Sequence, residues 1–283
     1  MRIEQLRILL SPRTVASCLD LAFLFYGRHL RQMLGLWAAV AVPVGLAVWL
    51  LTTRAEITVF GISVLLLLAT MPLGTLTALW SIPAVFGEPF SLETLNRQVR
   101  LHCPVLLLQG LLQRAVVGLG LVLLVLPGMW LAVRFGFLVE KRCLVRLGRY
   151  LHHQQADDMI RAGTVDLMVR SFWISAFCGM LTVVVSLTVD VLLEVLAGSS
   201  VLLRPALHES GILLDGLGQI LYDDPAALTL VSVCFLLVYP LGRLAWFFCY
   251  VDLRVRQDCW DMELRMRKEA RELRRQVAPV NSH

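Results

Sequence analysis

The chain has 283 residues, 58% of them apolar and only 17% charged, with a mean hydropathy of +0.72. Soluble domains average roughly 45 to 50% apolar and about 25% charged residues, so this composition belongs to a membrane protein. It excludes a disordered chain, a nucleic-acid-binding protein and a secreted disulfide module. The net charge of +5 comes mainly from Arg, and the seven Cys are spread through apolar runs without a disulfide or zinc spacing.

No cleavable signal is expected, because Pro12 and Arg13 interrupt the chain before an apolar h-region develops. Residues 12–31 mix charges with apolar residues at helical spacing and read as an amphipathic helix lying in the membrane interface. Residues 34–52 and 60–80 each approach the roughly 20 apolar residues that a span needs, and form a first hairpin across a short polar turn. Residues 88–100 form a second interfacial helix. Residues 101–139 are long enough for two spans, with a turn at either Gly118-Leu119-Gly120 or Pro127-Gly128. The first choice keeps Pro127 within a helix and Arg114 near an interface. Residues 154–170 form a third interfacial helix, and residues 172–193 and 226–250 are the last two spans, joined by a long acidic loop over 197–225.

The expected fold is therefore an all-α, polytopic membrane bundle. Its six transmembrane helices form three hairpins, each preceded by an interfacial amphipathic helix, with repeat units at about 12–80, 88–140 and 154–250. Residues 1–251 make the membrane domain and 252–283 a basic amphipathic tail helix. The second span of each hairpin carries Pro and Gly close together: Pro72 and Gly74, Pro127 and Gly128, Pro240 and Gly242. Such positions suit broken helices around a binding site, or the Pro and Gly common in membrane helices. Gly128, Ala132 and Gly136 form a small-residue stripe expected to face a neighbouring helix.

Charge asymmetry sets orientation. With both termini on one side, that side carries 21 basic residues and the other only Arg54 and Arg204. By the positive-inside rule both termini of this multi-pass chain are expected on the cytoplasmic side.

Ionisable residues within spans are costly and are the first candidates for a site. They are Arg114, Arg134, Asp190, Glu194 and Arg243. One reading pairs Arg114 with Asp190 or Glu194; the other makes each a snorkelling residue near a helix end. His152, His153, Asp157 and Asp158 have metal-ligand chemistry, but also suit a solvated helix face. Motifs for a metalloprotease, a serine hydrolase or a phosphate loop are missing from the sequence, so no enzyme activity, cofactor or metal is expected.

The segment from Tyr250 to Glu263 holds Asp252, Arg254, Arg256, Asp258, Trp260 and Asp261 after an aromatic-ended span. This motif resembles the close of a bacterial membrane domain found fused to some glycerophosphodiester phosphodiesterases and, more often, standing alone. Arg134 after Pro127-Gly128, and Arg170-Ser171 before the fifth span, are similar to that family's central region. Cys259 replaces the family's usual Gly. The resemblance implies a six-span architecture without an assigned activity, since the phosphodiesterase chemistry belongs to a separate soluble domain. Beyond it, an apolar stripe through Met262, Met266, Ala270 and Leu273 runs among basic residues. Residues 252–263 are expected to fold against the bundle and 264–276 to project as a basic helix. The sequence reading is thus a non-catalytic scaffold or accessory subunit. Its partners are the bilayer, anionic headgroups and another membrane or cytoplasmic protein, with no nucleic acid. The alternative is a small-solute or lipid transporter using broken helices at Pro72, Pro127 and Pro240.

Overall fold

The computed structural model describes residues 14–55, 59–85, 110–118, 120, 125–136, 163–205, 218–222 and 224–258. Among these residues the secondary structure is helical throughout, without a strand. This is what a bilayer demands, because a helix satisfies its backbone hydrogen bonds within one segment.

Helix α1, Val15–Arg28, starts at Thr14, whose hydroxyl accepts the Ser17 N–H at 3.3 Å. It ends where the His29 N–H bonds back to the Phe25 and Tyr26 carbonyls, and α2, Leu30–Ala55, begins one residue later. Then follow α3, Val59–Val85; α4, Val125–Gly136; α5, Thr164–Ala197; and α6, Pro225–Asp258. Helix α5 stops at Gly198, whose φ of 69° lies in the left-handed region that glycine tolerates. Helix α6 starts with Pro225 in its first position, while the Asp224 carboxylate accepts the Ala226 N–H at 2.8 Å.

Among the described residues four stretches are long and apolar enough to cross a membrane: Leu30–Arg54, Val59–Val85, Thr164–Ala197 and Pro225–Leu253. These match the first, second, fifth and sixth expected spans. Large apolar side chains such as Leu46, Phe60, Met180 and Val195 are exposed on their outer faces, the inverse of a water-soluble surface. The chain is a multi-pass membrane protein.

Helix α6 is central and packs against α1, α2, α3 and α5, while α4 packs on α5. Met33, Trp80 and Leu244 share one apolar cluster, and Val48, Ile62 and Leu228 another. Helices α3 and α6 therefore run parallel to each other and antiparallel to α2. Close packing relies on small residues, as expected where lipid removes the hydrophobic drive between helices. A Cβ on Gly136 would lie 3.1 Å from the Trp246 Nε1, and one on Gly74 would lie 2.8 Å from the Tyr239 hydroxyl. The stripe on α4 thus faces inward, with Gly128 against Gly120 and Gly136 against α6.

Several boundaries differ from the sequence reading. Helix α1 buries Cys18, Ala22 and Phe25, and its Phe23 ring meets Phe177 of α5 at 5.9 Å. The Tyr26 hydroxyl donates to the Leu237 carbonyl at 3.3 Å, so α1 is docked between two spans. Burial raises the Tyr26 phenol above its ordinary pKa and keeps it a donor. Residues 164–170 are not a separate surface helix but the first turns of α5, because apolar positions continue without a breaker. Residues 88–100 lie outside the described residues.

The helices are also not broken at their prolines. Helices α3 and α6 run through Pro72 and Pro240, and Pro127 falls in the first turn of α4, where a missing N–H costs no helical bond. A Cβ on Gly120 would lie 3.0 Å from the Gly128 Cα. In a continuous helix these residues would stand about 12 Å apart, so the chain reverses between them and Gly118 remains helical. Helix α6 likewise crosses the expected boundary at 251/252 unbroken to Asp258.

Candidate functional site

Three polar constellations sit among the described residues of the bundle. The first is a cleft of about 350 Å³ between the helical segment 110–118, α4, α5 and α6. Arg114 enters it from 110–118, and its Nη2 donates to the Tyr239 hydroxyl at 2.7 Å. The guanidinium carbon also lies 6.0 Å from the Tyr239 ring centroid, at the edge of cation–π reach. Gly74 leaves the room that brings this hydroxyl against α3. Tyr239 is midway along the 29-residue span of α6, so Arg114 lies at mid-membrane level, where a charge costs at least about 2.5 kcal/mol.

Arg243 stands one helical turn from Tyr239 on α6, lines the same cleft, and its Nη1 donates to the Gly136 carbonyl at 3.1 Å. Ser171, Ser175 and Thr182 of α5 add hydroxyls, and Ile174, Cys178 and Trp246 add apolar walls. The described lining residues include two arginines and no carboxylate. Ser175 and Gly179 are exposed on the outer side of α5, so the cleft opens sideways, partway along a membrane span. It can hold a small group that carries negative charge.

The second constellation lies at the opposite end of α5 from its loop. Arg170 contacts Asp252 of α6 at 2.7 Å through Nη1 and Asp166 at 2.7 Å through Nε; Arg256 contacts Asp252 at 3.0 Å. The Arg170 and Asp252 side chains are 5% and 0% exposed, so this is a buried ion pair with half-exposed outer partners. It joins α5 to α6 and seats the start of the tail motif in the bundle. Phe25, Trp80, Phe247, Phe248 and Tyr250 pack inward at this end, so these aromatics are core.

The third is Asp190, fully buried near the far end of α5. Its carboxylate accepts the N–H groups of Val201, Leu202 and Leu203 at 2.7 to 3.0 Å, and the Ser200 hydroxyl at 2.8 Å. It anchors the chain that folds back after Gly198, where Leu202, Ile220 and Ala227 form a small apolar cluster.

The structure thus separates residues that the sequence could pair. Arg114 meets Tyr239; Asp190 meets loop amides, because these lie only 11 to 13 residues on and need no second helix; Glu194 meets Arg204 at 2.8 Å on the surface. Arg134 lies in α4 and Arg254 in α6, but their side chains are outside those described, as are Trp260 and Asp261 entirely. Asp258 ends α6. The cluster at His152, His153, Asp157 and Asp158 also lies outside the described residues. His29 packs between Phe25 and Trp80. The sequence pattern does not mark Tyr239 as a site residue, and it marks Arg170 only through the family resemblance. The signal for Tyr239 was a polar tip beside Pro240 in mid-span; for Arg170, a cation on the edge of an apolar run facing an acid-rich motif.

No family model, curated protein or solved structure matches the chain.

Proposed function

We propose that the chain is a six-span protein of a bacterial cytoplasmic membrane that handles a small solute or a lipid through the cleft between α4, α5 and α6. Both termini lie on the cytoplasmic side, a placement supported by the 21-to-2 distribution of basic residues. Segment 110–118 and α4 belong to the middle hairpin, completing six spans with the four long helices. The observation that carries the reading is an intramembrane cleft into which Arg114 projects, its guanidinium hydrogen-bonded to the neutral Tyr239 hydroxyl. An ionisable group at this depth is costly and marks a candidate functional site. No catalytic step is assigned.

The scaffold reading keeps one support. Asp252 and Val255 are buried in the bundle, so a partner helix formed by the basic tail would be mechanically tied to α5 and α6. The relationship to the membrane domain of glycerophosphodiester phosphodiesterases is likewise a proposal, supported by the motif from Tyr250 to Glu263.

Mass spectrometry after denaturation compares small molecules co-purifying with wild type and with Ser175→Trp, whose indole fills the cleft mouth. A species carried by the wild type and depleted in S175W is expected. Identical profiles from two equally folded proteins refute the reading.

A further inference from the structure

Resting on that reading, we propose that the cleft takes an anionic phospholipid directly from the bilayer. Its phosphate lies against Arg114, with Arg243 one turn away, and its acyl chains leave through the opening at Ser175 and Gly179.

The charge argument comes from Arg114. Its hydrogen-bond partner is a neutral phenol, and one N–H engages it. A guanidinium carries five N–H donors in a planar fork that matches phosphate oxygens. The contact that Arg114 makes with Tyr239 carries no negative charge, so a bound anion is what completes the electrostatics of this guanidinium. The Ser171, Ser175 and Tyr239 hydroxyls offer further polar contacts to a headgroup.

The access argument comes from α5. Ser175 and Gly179 are exposed, and Phe172, Trp173, Met180 and Val183 around them present large apolar side chains outward. The helix begins at Thr164, so Ser175 lies 11 residues in, about 16 Å along the axis. A mouth at that depth on such a face opens into hydrocarbon. A water-borne anion would have to leave water to reach it, whereas a lipid arrives by lateral diffusion. The volume agrees: about 350 Å³ accommodates a headgroup and not two acyl chains, so the chains must remain outside, against Ile174 and the exposed face of α5.

The full chain, purified in uncharged detergent, is titrated separately with phosphatidylglycerol, phosphatidylcholine and inorganic phosphate, with binding read by native mass spectrometry and by thermal midpoint. Phosphatidylglycerol should add saturably, one per chain, and raise the midpoint; the other two should do neither. Arg114→Gln should weaken the phosphatidylglycerol adduct by about tenfold or more, the worth of one hydrogen bond to a charged group, and Arg114→Lys should recover part of it. S175W leaves Arg114 in place and should block the adduct by closing the mouth, which covers a failure of R114Q to fold. Equal binding of phosphatidylcholine overturns the recognition of charge. Equal binding of inorganic phosphate overturns the lipid while leaving a solute-binding cleft. Unchanged phosphatidylglycerol binding in both R114Q and S175W places the lipid elsewhere and overturns the site. If S175W depletes a co-purifying species that phosphatidylglycerol does not displace, the cleft reading stands and the lipid assignment falls.

Discussion

Replacing Arg170 by Met tests the buried ion pair that ties α5 to α6. The change removes a guanidinium 5% exposed and leaves the Asp252 carboxylate, 0% exposed, with Arg256 at 3.0 Å among its remaining partners. Breaking a buried pair by removing one member typically costs about 3 to 5 kcal/mol, because the survivor is left charged and desolvated. Arg256 is 41% exposed and its attraction is screened by solvent, so it offsets only part of this; the expected loss is about 3 kcal/mol. Asp252→Asn should cost a similar amount, since Arg170 then keeps only Asp166, which is 54% exposed. The double variant should cost clearly less than the sum, because neither charge remains buried alone. Reversible unfolding of the four proteins in mixed detergent micelles closes the double-mutant cycle. A loss below about 1 kcal/mol for Arg170→Met, or strict additivity in the double variant, refutes the assignment of this pair as the clamp between the two helices.

Asp190→Ala should destabilise by at least about 1.5 kcal/mol, the lower value for one hydrogen bond to a charged group. It should also speed hydrogen exchange at the Val201, Leu202 and Leu203 amides, and unchanged protection there contradicts the anchor. Gly136→Leu forces a side chain against Trp246, where a Cβ alone would lie 3.1 Å from Nε1. It should cost about 1 to 3 kcal/mol of stability in detergent, and an unaltered thermal midpoint argues that α4 does not pack there. Reporter fusions at His283 and near Gly211 should report opposite sides of the membrane; the same side for both refutes the six-span topology.

Features that depend on neighbours along the chain were legible in the sequence. Long apolar runs become helices in a bilayer whatever surrounds them, since no other isolated segment satisfies its own backbone there; hence α2, α3, α5 and α6 fall where hydropathy puts them. The small-residue stripe on α4 was visible for the same reason, as a spacing of four within one helix. The limits of α5 and the position of Pro127 were not, because a surface helix and the first turns of a span share one periodicity.

What tertiary structure decided is partnership. Arg114 finds Tyr239 across 125 residues, and Arg170 finds Asp252 across 82. Both faces of α5 are apolar enough for lipid, so hydropathy does not say which one meets α6. The helices choose their facing surfaces by close fit, with Gly136 admitting Trp246 and Gly74 admitting Tyr239. In a medium as apolar as the side chains themselves, shape and hydrogen bonding set that fit, and both require every partner to be in place. The sequence therefore marks the charges that must be compensated, while the packed bundle selects which groups meet them and brings Arg114 and Arg243 to one cleft.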